Sequence, residues 1–131
     1  MLRNLSLLAA RILVAVLFLP SGFQALTNFS GTTGYFGGLG FPMPAFFALA
    51  VPLFEIAGGA AILLGLQTRH VALVLAAFTI AAGFIGHYGQ GDGDPMLTFL
   101  HAQMLMKDVA ISGGLLALSV AGAGALSVDR S

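Results

Sequence analysis

Cysteine is absent from this 131-residue chain, and so is tryptophan. The first absence excludes disulfides, thiol relays, iron–sulfur clusters and Cys-ligated zinc, so any redox chemistry has to come from a bound cofactor or a partner. The second leaves two Tyr and eleven Phe to form an aromatic belt. Charge is scarce as well: 8% of residues are charged, against roughly 25% in an ordinary soluble domain. Five Lys and Arg balance five Asp and Glu, too few cations for the basic patch that nucleic acid requires. No nucleophile triad, phosphate loop or HExxH motif is present, so no catalytic residue is assigned and an enzyme acting alone is not indicated.

What the chain does have is apolar surface. Hydrophobic residues make up 58% of it, more than a soluble globule of this size could hide. Four segments approach the roughly 20 apolar residues that a bilayer-spanning helix needs: about Leu5 to Leu26, Ala45 to Leu66, Val71 to His87 and Leu97 to Ala121. The expected fold is therefore all-α, an integral membrane four-helix bundle forming a single transmembrane domain over residues 1–131. The first segment reads as a retained helix rather than a signal peptide, because Arg11 interrupts a long apolar run and no small-x-small cleavage site is clear. Arg3, Arg69 and Arg130 fall on one side of such a bundle, and Asp92 and Asp94 on the other. The positive-inside rule then expects both termini to be cytoplasmic. Residues 29–44, rich in Gly, Pro and Phe, read as a loop with lipid-anchoring aromatics; a short amphipathic or re-entrant piece is the alternative.

Arg11, Glu55, Lys107 and Asp108 all fall inside expected spans. Charges at depth are costly and usually face the bundle interior in pairs. At 1.5 Å per residue, Glu55 lies roughly 15 Å deep, near the midplane, with Lys107 and Asp108 at similar depth. Arg11 lies closer to the cytoplasmic face and can snorkel. The four charges cancel, so the expectation is one buried network in which Glu55 pairs with Lys107 or Arg11 and Asp108 takes the other cation. Such a network either fixes helix register or marks a proton or quinone site.

A second polar group gathers toward the opposite face: Gln24 after Pro20, His87, His101 and Gln103. Two histidines near one membrane face suit hydrogen bonding to a quinone head group or, less well, haem or metal ligation. The plain alternative is packed or interfacial histidines satisfied by backbone or water. No metal site is assigned.

Several stretches together resemble the DoxX family of bacterial four-helix membrane proteins: Arg11 with Ser21-Gly22, the run Gly40-Phe41-Pro42-Met43-Pro44, Glu55-Ile56-Ala57-Gly58-Gly59, Gly65-Leu66-Gln67-Thr68-Arg69, His87, and Lys107-Asp108 before Gly113-Gly114. Where many relatives carry a Lys shortly after Ser-Gly, this chain has Gln24-Ala25-Leu26. The resemblance implies a bacterial inner-membrane location and a tie to quinone-linked membrane complexes. The leading expectation is an accessory or membrane-anchor subunit of a quinone-linked oxidoreductase or respiratory complex. Its partners would be membrane lipids and other membrane or redox subunits, or further copies of itself. A small-solute or proton-coupled transporter and a purely structural subunit are the alternatives.

Overall fold

The computed structural model describes all 131 residues; its regular elements are all helices, with no strand. Helices α1 (Leu2–Thr27), α3 (Pro44–Leu64), α4 (Thr68–His87) and α5 (Pro95–Ala121) are long and apolar enough to cross a membrane. A short helix, α2 (Phe29–Gly38), follows α1. Its existence corrects the loop expectation for residues 29–44. Backbone hydrogen bonding decides this: a chain at the bilayer boundary lowers its cost by closing its own N–H and C=O groups.

Local chemistry sets the helix ends. Pro44 and Pro95 open α3 and α5 at the first helical position, where a missing N–H costs nothing. The Asp94 carboxylate accepts from the N–H groups of Met96 and Leu97 at 2.9 and 3.3 Å. Gly65 ends α3 with φ +72°, a left-handed conformation that glycine adopts without Cβ strain. Pro20 and Pro52 lie inside α1 and α3, and both helices continue through them.

The principal contacts pair α1 with α3 and α4 with α5; α3–α4 and α1–α5 touch more lightly, and α2 lies on α3. Small residues allow the close approaches. A Cβ on Gly22 would stand 2.8 Å from the Pro52 carbonyl oxygen, and one on Gly83 would stand 2.9 Å from the Asp108 Cβ. Phe18, Ile62, Leu75, Leu115 and Leu118 form the centre of the core. Outward positions such as Leu13, Val16, Leu73 and Val109 are exposed and apolar, as a lipid-facing surface requires.

Four spans place both termini on one face, here the terminal face, with the α1–α3 and α4–α5 connections on the other. Residues 122–131 fold back across the terminal face. The Val128 and Asp129 N–H groups donate to the carbonyls of Leu64 and Gly65, and Ala125 N–H donates to Asn4 Oδ1.

Candidate functional site

The single charge network expected from the sequence is divided among three places. Arg11 is 1% exposed, so it does not snorkel. Its guanidinium donates to the carbonyls of Leu63 and Leu126, tying α1 to the end of α3 and to the C-terminal segment. Its charged neighbour is Asp129, an acid the sequence reading passed over. The Asp129 carboxylate accepts from the N–H groups of Thr68 and Gln67 at 2.8 and 2.9 Å. It thereby caps α4 from sixty-odd residues away, in a position that a local Ser or Asp would ordinarily fill. Those backbone hydrogen bonds, helped by Arg11, hold its carboxyl below the ordinary value of 3.8.

Glu55 makes no ion pair with any cation, because neither Arg11 nor Lys107 reaches it. This overturns the expected Glu55 pairing. Ser21 of α1 is its polar neighbour, and Gly22 beside Ser21 lets α1 and α3 approach closely enough for that. Glu55 instead borders a cavity of about 500 Å³ between α2, α3 and α4. The walls are mostly apolar. Phe36, Phe41 and Phe47 form an edge-on aromatic cluster, with centroids 5.0 Å apart for Phe36–Phe41 and 4.9 Å for Phe41–Phe47. Phe78 and Ile85 of α4 face them, and Asn28, Thr32, Tyr35 and Glu55 supply the polar atoms.

Tyr35 connects this cavity to the second polar group. Its hydroxyl lies over Gly86, where a Cβ would stand 2.6 Å away. Burial and the nearby Asp108 carboxylate push that hydroxyl above the ordinary tyrosine range, so it is a neutral donor at physiological pH. Asp108 rests against Gly83, one turn earlier on the same face of α4. The His87 Nε2 stands 3.8 Å from Asp108 Oδ2, and the His87 and His101 Nδ1 atoms are 2.8 Å apart. With both rings neutral, the consistent tautomers have His101 Nδ1–H donating to His87 Nδ1, which leaves a proton on His87 Nε2 toward Asp108. The histidines therefore bind each other. A haem iron ligated by their Nδ1 atoms has no room between them.

The remaining expected residues stand apart. Gln24 is exposed, and Gln103 is half-buried. Neither borders the cavity, and neither do His87 or His101. Lys107 is exposed on α5 without an acidic partner, which overturns its expected place in a buried network. It stands one residue from Asp108, a rotation of about 100°, and that rotation carries it off the α4-facing side.

The sequence profile of the DoxX family matches residues 6–88, which span α1 to α4. The chain belongs to the DoxX family. The matched part includes Arg11, Ser21, Tyr35 and Glu55, whereas His101, Lys107 and Asp108 lie beyond it. Two Escherichia coli (strain K12) proteins are similar over almost the whole chain. Inner membrane protein YqjF is 39% identical over 129 residues, covering 98% of this chain and 93% of the relative. Inner membrane protein YphA is 35% identical over 133 residues, covering 98% and 91%. A Bacillus subtilis (strain 168) protein named "Putative oxidoreductase CatD" is 31% identical over 75 residues, 57% of this chain and 54% of its own length. No solved structure matches. This DoxX-family chain is a multi-pass inner-membrane protein.

Proposed function

We propose that this DoxX-family protein is the membrane subunit of a quinone-linked oxidoreductase, forming one transmembrane domain with both termini cytoplasmic. The cavity carries the reading. Its volume of about 500 Å³ lies within the roughly 300–1,000 Å³ of small-molecule sites. Its Phe walls suit a flat apolar ring, and Asn28, Thr32, Tyr35 and Glu55 offer polar atoms to it. Membership of the DoxX family, with the tie to quinone-linked membrane complexes that the resemblance implies, supports this reading, and the relative CatD, named an oxidoreductase, supports a redox role.

A quinone supplies two-electron, two-proton redox chemistry; the chain supplies the seat and the proton path. Glu55, uncompensated by a cation, is placed to hold or release a proton at the cavity edge. Tyr35 lines the same cavity, and from its hydroxyl over Gly86 the line of titratable groups continues through Asp108, His87 and His101 away from the cavity. The chain carries no thiol, so the electrons come from a bound cofactor or, in this reading, from the partner subunit.

The test is quinone retained by protein extracted gently from its own membranes, together with titration of the stripped protein with a short-chain quinone. Stoichiometric quinone is expected, with Glu55→Ala weakening binding about tenfold, because it removes the protonated carboxyl that donates to a quinone carbonyl oxygen. Ala82→Trp, which fills the cavity, should abolish it. A folded protein that binds no quinone but carries solute flux alone in proteoliposomes would replace this reading with the transporter.

A further inference from the structure

Helix α5 runs 27 residues, Pro95–Ala121, or about 40 Å, longer than the roughly 30 Å hydrocarbon core. Lys107 lies about 18 Å from its start, close to the middle of the bilayer and too far from either surface for its ammonium to snorkel out. The side chain is exposed and has no acidic partner in the chain. A bare ammonium facing lipid at that depth is costly, and such residues are found paired.

The residues around it form a continuous strip. Gln103, Lys107, Ala110, Gly114 and Ala117 follow a 4-3-4-3 spacing, the seam of a left-handed helix pair. Lys107, Ala110, Gly114 and Ala117 are exposed, and a Cβ on Gly114 or the adjacent Gly113 would meet nothing within 4 Å. Gln103, half-buried, adds a hydrogen-bonding group four residues before Lys107. A second copy does not suit this strip. A two-fold α5–α5 contact would set Lys107 against its own copy, two like charges in a medium of low dielectric. The chain's own acids at that depth are turned elsewhere, Glu55 to the cavity and Asp108 to His87.

We infer that this face of α5 docks a membrane-spanning helix of a different protein, one that carries an Asp or Glu at mid-membrane depth opposite Lys107. The inference rests on the reading of the chain as a subunit and names the surface and the chemistry that join it to its partner. Flush small residues bring the two backbones together, and the ion pair sets their register.

The experiment places a photo-crosslinking p-benzoylphenylalanine at Ala110 in the full chain, in its own membranes. The expected adduct is with another membrane protein bearing an acid within a span. Lys107→Met lowers its yield at least tenfold, and Lys107→Arg preserves it. Lys107→Glu combined with Lys at the partner's acid restores it. An adduct with a second copy, an adduct with lipid alone, or a yield unchanged in Lys107→Met overturns the inference. Quinone retention in Lys107→Met stays at the wild-type level, because Lys107 does not border the cavity. A parent chain that forms the adduct but retains no quinone would count against the quinone reading and leave the docking surface standing.

Discussion

Four charged residues placed by sequence inside the membrane have four different fates, each set by the nearest polar group. Arg11 donates through its two terminal nitrogens to carbonyls at the end of α3 and in the C-terminal segment, where C=O groups lack intrahelical partners, while its buried Nε has none. Glu55 borders a cavity, Asp108 faces an imidazole and Lys107 faces outward. Asp129 shows how one side chain outside the spans can organise a helix end. Its carboxyl titrates below the ordinary value of 3.8 in the folded chain. The sign of the linkage follows: its stabilisation is complete above the unfolded value and is lost as pH falls through the lower folded one. Thermal melting of the detergent-purified chain should therefore lose stability below about pH 4. Asp129→Asn should melt a few degrees lower at neutral pH and lack that acid component. An unchanged acid limb in the variant would assign the loss to another carboxylate.

At the scale of elements, glycine at helix contacts decides which polar groups meet. Gly83 and Gly86 lie on one face of α4 and receive Asp108 and Tyr35, so the line from cavity to histidines depends on two missing side chains. Gly83→Ala should separate α4 from α5 at Asp108 and cost about 1–3 kcal/mol as an overpacked contact. It should also shift the histidine ring resonances in NMR spectra. A variant as stable as the parent with unmoved resonances would show that Asp108 yields freely. A short amphipathic piece at residues 29–38 is only the second expectation from sequence because Gly31, Gly34, Gly37 and Gly38 weaken intrinsic helix propensity. The clue was there in aromatic density: Tyr35 and Phe36 of that stretch, with Phe41 and Phe47 beyond it, became cavity wall.

For the molecule as a whole, the terminal face is closed and the loop face is open to chemistry. Residues 122–131, Arg3 and Arg69 lock the ends of α1, α3, α4 and α5 together: Arg3 of α1 donates to the Ala121 carbonyl oxygen, and Arg69 of α4 donates to the Val120 carbonyl oxygen. The cavity and the histidine pair lie toward the loop face. The absence of cysteine makes orientation directly measurable. With the positive-inside distribution, Asp92→Cys should react with a membrane-impermeant maleimide in intact spheroplasts, and Ser131→Cys only after permeabilisation. The reverse pattern would invert the bundle and place the cavity mouth toward the cytoplasm.

Composition and hydropathy by themselves determined the membrane class, the four apolar helices to within a few residues, and the position of each charge along its helix, because the lipid interior sets length and polarity residue by residue. The stretches around Arg11, Glu55 and Gly65 sufficed for the family. Tertiary structure alone decided which charges meet. Depth along a helix is a one-dimensional quantity that sequence carries, whereas the direction a side chain faces depends on how neighbouring helices cross. Lys107 and Asp108 are adjacent in sequence and equal in depth, yet a rotation of about 100° between them sends one toward His87 and the other out to the lipid-facing side of α5.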